Sequence, residues 1–179
     1  MKLEYTLNFS DFLEYQLYVS SKSELHKKNR NKSRIVVPII YIVLGLFILF
    51  IKKTELAIAF FGFAVLWFLF YPLYSKWKYK KHFEKHIKEN YKNRIGKKAT
   101  LNFDKDADFI ETSDFGTQTK IQDSEFDKLI ELKDYYFLRL KSELSLIIPK
   151  RAISDQEKFK SLFSDTNLEY VNELNWEWK

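Results

Sequence analysis

The chain has 179 residues, no cysteine and four glycines, which excludes a disulfide scaffold, a cysteine-based zinc site and a glycine-rich phosphate cradle. Its net charge of +6 is split: residues 1–98 carry 19 Lys and Arg against 7 Asp and Glu, residues 99–179 carry 11 against 17. A nucleic-acid partner is not expected, because the part of the chain that would have to bind it is acidic.

Residues 1–34 read as a strand followed by an amphipathic helix. Leu3, Tyr5, Leu7 and Phe9 alternate with Lys2, Glu4, Thr6 and Asn8, the pattern of a half-buried strand. Ser10 and Asp11 offer N-caps, and Asp11 with Glu14 has the spacing of a capping box. The helix it opens carries Phe12, Tyr15 and Val19 on one face. A lone strand is unstable. The only other strand-like sequence lies beyond residue 98, so the first strand is expected to pair there.

Residues 35–74 predict a transmembrane hairpin. Residues 35–51 and 56–74 form uncharged runs of 17 and 19 residues, and crossing a bilayer core of roughly 30 Å takes about 20 helical residues. Both runs are apolar around the whole circumference, which suits lipid. The KKTE segment between them is the turn. Pro38 is placed in the first turn of one helix and Pro72 near the end of the other, while Gly45 and Gly62 lie where the two backbones could approach. The first 34 residues are too polar for a signal peptide, so the hairpin is expected to be retained. Neither run contains an Asp, Glu, Lys, Arg or His, which argues against a transporter or channel.

Six basic residues (Lys22, Lys27, Lys28, Arg30, Lys32, Arg34) precede the hairpin and six (Lys76, Lys78, Lys80, Lys81, Lys85, Lys88) follow it, against Lys52 and Lys53 in the turn. The positive-inside rule then places both termini in the cytoplasm of a multi-pass protein. Lys27, Lys28, Arg30, Lys32, Arg34, Lys76, Lys78, Lys80 and Lys81 are the candidates for contact with anionic lipid headgroups. Residues 75–98 predict a basic juxtamembrane helix that stops at Gly96.

Residues 99–179 predict a β domain, with strands at 99–103, 107–112, 115–122, 126–132, 135–141 and 144–148 and turn-prone DKD, SD, DS, KD and KSE between them. Ser154 and Glu157 have capping-box spacing before a short helix with Phe159, Leu162 and Phe163 on its apolar stripe. The expected fold is an α+β membrane protein: a transmembrane hairpin plus a small antiparallel β-barrel or sandwich closed by a C-terminal helix.

Motifs that could carry chemistry are thin. His82, His86 and Glu89 share a helix face, but neighbouring lysines repel a dication, so no metal is expected. Asp104, Asp106 and Asp108 open like a calcium loop, yet Phe109 stands where glycine is needed. Lys150 and Arg151 after Pro149 form a candidate anion-binding corner, and Trp176 and Trp178 in NWEWK a candidate partner surface, docked on the β domain or at the membrane interface. With no Ser/His/Asp set and no P-loop, the reading is a non-enzyme without a cofactor.

The hairpin, the basic helix and the stretch from Phe126 to Ser154, FDKLIELKDYYFLRLKSELSLIIPKRAIS, resemble the YcxB-like bacterial membrane proteins. Its aromatic pair Tyr135 and Tyr136 and its IIPKRAI ending carry the likeness; Phe126 departs from a tryptophan expected there. The resemblance implies a pleckstrin-homology-like barrel and no catalytic residues. Lipid-binding domains of that class often hold phosphates on a basic first hairpin loop; here the loop is acidic, which disfavours a phosphoinositide site. The resulting expectation is a bacterial cytoplasmic-membrane protein that displays a binding or scaffolding domain to an unidentified protein partner. The alternative is a membrane-resident immunity or stress protein neutralising an effector there. Neither reading specifies an oligomeric state.

Overall fold

The computed structural model describes residues 1–104, 107–114, 116–164, 166 and 168–178. It divides into two compact units, a strand unit within residues 1–15 and 86–177 and a helical unit of residues 16–85 with Trp178. The chain is α+β, with two long apolar helices and two four-stranded sheets.

In the strand unit, β1 (Lys2–Thr6), β2 (Lys98–Phe103), β3 (Phe109–Asp114) and β4 (Thr117–Gln122) form one antiparallel sheet in that order. β1 pairs with β2, Leu3 opposite Leu101 and Tyr5 opposite Ala99, so the expected pairing across the hairpin is present. The second sheet has the order β7 (Ser145–Pro149), β6 (Tyr135–Leu140), β5 (Phe126–Glu131), β8 (Glu169–Asn172). Leu3, Leu101, Phe103 and Ile110 from the first sheet and Phe126, Leu129, Tyr136, Leu138 and Ile148 from the second share one core. Phe159 of α4 (Gln156–Ser161) and Phe163 fill it, edge-on to Phe103.

The sheets do not close into a barrel. β4 (TQTKIQ) is exposed along almost its whole length; a strand that polar remains solvated at an edge. Nor is the unit wholly antiparallel, because β8 runs parallel to β5, Tyr170 opposite Leu129. This strand was not expected, being short, largely exposed and without strong alternation. The second predicted strand shifts two residues later, to Phe109–Asp114; Phe115, the expected start of the third, lies outside the described residues.

Two caps move by one to three residues. α1 (Phe9–Lys22) is capped by Asn8, whose carbonyl accepts from the N–H of Asp11 and Phe12. Asp11 sits three residues in and its carboxylate accepts the Asn8 N–H at 2.6 Å, the return half of a capping box. For α4 the cap is Asp155, accepting from the Lys158 N–H at 3.0 Å, rather than Ser154.

In the helical unit, Ser23 caps α2 (Glu24–Phe50) and a tight turn leads to α3 (Thr54–Asn90). At 1.5 Å per residue α2 and α3 are about 40 and 55 Å long. The basic stretch after the second apolar run is thus the continuation of α3, not a separate helix. Only 11% of each helix's most apolar window is buried. Both prolines lie deep inside their helices. Pro72 lacks the N–H that would bond the Phe68 carbonyl, and Arg34 donates its Nε–H to that carbonyl at 3.4 Å while its guanidinium lies 4.4 Å from the Phe68 ring. Trp67 likewise donates to the Ser33 carbonyl at 3.2 Å. Gly45 faces α3: a Cβ built there would stand 2.6 Å from the Phe61 ring. Gly62 faces open space, so it makes no close approach.

Candidate functional site

Because β4 stays at an edge, the strand unit keeps an opening between its sheets. A cleft of about 480 Å³ is lined by Leu7, Phe12, Tyr15, Tyr91, Leu101, Ile121, Leu140, Leu146 and Ile147, with Tyr5 within it and Thr112, Thr119, Arg94 and Asp114 among its polar lining. β1, β2, β3, β4, β6, β7 and the start of α1 all contribute. Arg94 and Asp114 are ion-paired, and Arg94 lies over the Tyr91 ring at 5.8 Å. Burial, helped by the Asp114 charge, pushes the Tyr5 phenol up, so it stays protonated as a donor. An apolar cleft with a few oriented polar groups is a binding site in form. Another concavity, between Phe103, Asp104, Asp123 and Phe163, holds about 220 Å³; burial and the Asp108 charge push the Asp123 carboxyl up.

Beside the cleft, adjacent residues alternate between two carboxylates. Tyr135 and Arg151 serve Asp11: Arg151 donates to both carboxylate oxygens, at 2.9 and 2.5 Å, and to the Thr6 carbonyl at 3.0 Å, while the Tyr135 hydroxyl donates at 2.9 Å. Burial would raise the Asp11 carboxyl, but these donors and the Asn8 N–H outweigh it and hold it below the usual range. Tyr136 and Lys150 serve Glu131: Lys150 donates at 2.6 Å, Lys160 at 2.9 Å and Tyr136 at 3.1 Å, with Tyr170 as a fourth donor. Here too burial opposes, yet Lys150, Tyr170 and Lys160 hold the carboxyl at about 2. Burial beside the Glu131 charge pushes the Tyr136 phenol up to about 12.

Lys150 and Arg151 are therefore not an open anion-binding corner. Each neutralises an internal carboxylate, Asp11 and Glu131, 1% and 3% exposed; sequence reasoning reads Asp11 only as a helix cap and misses Glu131. The signal was present only as two isolated acids in apolar runs, which spacing cannot match to a base 140 residues away for Asp11 or, for Glu131, to one 19 residues away across a strand turn. Trp178 is buried in the helical unit, donating to the Lys76 carbonyl at 3.3 Å with Arg30 over its ring at 5.4 Å. Trp176 belongs to the strand unit and is half-buried.

Among the basic flank residues, Lys28, Lys32, Lys76, Lys78, Lys80 and Lys81 are exposed, Lys27 pairs with Glu24 and Lys81 with Glu84. Arg30 is held between Tyr79 and Trp178, and Arg34 on Phe68. His86 Nδ1 bonds Asn90, and among the described residues no three His, Cys, Asp or Glu converge to hold a metal. Asp106, in the acidic hairpin loop, lies outside the described residues.

Neither a curated protein nor a solved structure matches the chain. Residues 105–163 match the family model described as YcxB-like protein. That segment supplies β3 to α4 and, with them, Glu131, Tyr135, Tyr136, Lys150 and Arg151, so the similarity to that family covers about a third of the chain.

Proposed function

We propose that this chain is a two-pass protein of the bacterial cytoplasmic membrane that holds a non-enzymatic binding domain on the cytoplasmic side. The carrying observation is the surface of the helical unit. Ile58, Leu69 and Leu73 are 64%, 59% and 66% exposed, and in water each square ångström of such surface costs about 25 cal/mol. A bilayer removes that cost over the uncharged runs of both helices, residues 35–51 and 56–74. The cationic flanks at the end of the pair opposite the Lys52–Lys53 turn support the orientation.

Two meanders followed by a helix support a pleckstrin-homology-like relationship for the strand unit, in an open form. Its cleft offers apolar walls, tyrosines and threonines, groups that hold a partner rather than transform it. An extended or side-chain-bearing segment of another protein is the occupant this reading assigns to it.

The chain lacks cysteine, so single cysteines report topology cleanly. Thr54→Cys in the turn should react with an impermeant maleimide on intact spheroplasts, whereas Asp127→Cys should react only after permeabilisation. The opposite pattern overturns the orientation, and reaction of both overturns the two-pass reading. A photo-crosslinker at Ile121, in the cleft, should yield an adduct that one at Glu157, on α4, does not; identical products from both would remove the cleft as the binding site.

A further inference from the structure

Resting on the membrane reading, we propose that an aromatic groove on the helical unit seats one phospholipid with an anionic headgroup. Phe63, Leu66, Trp67, Phe70, Tyr71 and Tyr74 recur on α3 at spacings of three and four, and with Tyr41 of α2 they line a depression of about 300 Å³. From Phe63 to Tyr74 the groove spans about 16 Å, half of a bilayer core of roughly 30 Å. That is the depth of one leaflet, so the acyl chains of a single lipid fit its length.

The headgroup end is chemically distinct. Tyr71 and Tyr74 bring phenols, and one helical turn further, on the same face, the exposed Lys78 ammonium lies 5.9 Å from the Tyr74 ring. Lys78 has no carboxylate partner among the described residues, and the one acid between residues 75 and 85, Glu84, is already paired with Lys81. The field at the groove mouth is therefore positive and selects an anion. A second copy of the chain packed in parallel on this face would set Lys78 against Lys78, which the same charge disfavours.

The test is quenching of Trp67 by phospholipids with brominated acyl chains, using the full chain in vesicles. Trp77 and Trp176 are replaced by Phe; Trp178, buried against α3, stays in every chain, and subtracting a Trp67→Phe chain isolates Trp67. Leu69→Trp in that background reports the opposite face of α3. A brominated anionic lipid present as a minor component should reach Trp67 in preference to a brominated zwitterionic one by about fivefold, the weight of one lysine near an anionic surface. The preference should be absent at position 69 and vanish with Lys78→Gln. Equal quenching of Trp67 by both lipids overturns the site while leaving the membrane reading standing. Quenching at position 69 but not of Trp67 means that a protein covers the groove, and overturns it as well. Quenching at neither position overturns the membrane reading itself.

Discussion

Arg151→Ala should destabilise the strand unit more than Asp11→Ala, although the two residues are partners in one ion pair. The Asp11 side chain is 1% exposed, whereas Arg151 keeps 47% of its side chain in solvent. Removing the guanidinium strands a buried carboxylate with only the Tyr135 hydroxyl and the Asn8 N–H, and leaving one member of a buried pair unmatched costs about 3–5 kcal/mol. Removing the carboxylate strands a guanidinium that water can reach. The loss is then a helix-end hydrogen bond and a partly screened pair, about 1–2 kcal/mol. In a domain near 100 residues each kcal/mol moves Tm by about 4–8 °C, so the two variants should differ by about 10 °C. Thermal unfolding of the full chain in mild detergent, followed by near-ultraviolet circular dichroism, measures this. The double variant should be no less stable than Arg151→Ala alone, because the residues act as a unit. Equal losses, or a greater loss in Asp11→Ala, would refute the argument that burial of the acid sets the cost.

Glu131 gives a pH signature. Its folded pKa of about 2 lies below the ordinary carboxylate value of 4.5, so its stabilisation is complete above about pH 4.5 and drains as the pH falls towards 2. Glu131→Gln should be less stable at neutral pH by a few kcal/mol and should show a flatter decline across that window in acid titrations of the unfolding midpoint; parallel curves would remove Glu131 from the account. On the helices, Gly45→Ala should force the Phe61 ring aside and lower the thermal stability of the helical unit. Gly62→Ala, facing open space, should be neutral or raise it by about 0.5–1 kcal/mol, and the reverse order in circular-dichroism melts would contradict the seam. Deleting residues 1–9 removes β1 with Leu3 and Leu7, and should lower the melting temperature of the strand unit measurably; an unchanged transition would mean that β1 is dispensable.

What the sequence determined by itself was whatever depends on neighbours along the chain. Seventeen and nineteen uncharged residues dictate apolar helices, alternation from Leu3 to Phe9 dictates a strand, although β1 ends at Thr6 and Phe9 opens α1, and an unpartnered strand obliges a pairing across the hairpin. Each of these follows from a local period or from the instability of a lone element. Only tertiary structure decided the charges and the edges. Lys150 and Arg151 read as a candidate anion-binding corner until folding brought Glu131 and Asp11 beneath them, because an ion pair between residues 11 and 151 leaves no periodic trace. The barrel stayed open because β4 is too polar to be covered, and β8 joined because β5 had a free edge for it, both outcomes of competition among strands rather than of any one strand's sequence. The apolar helices were legible as a pair from composition alone. That Gly45 and not Gly62 forms their contact, and that an aromatic groove ends at Lys78, depended on how the two helices are rotated against each other, which side-chain packing sets.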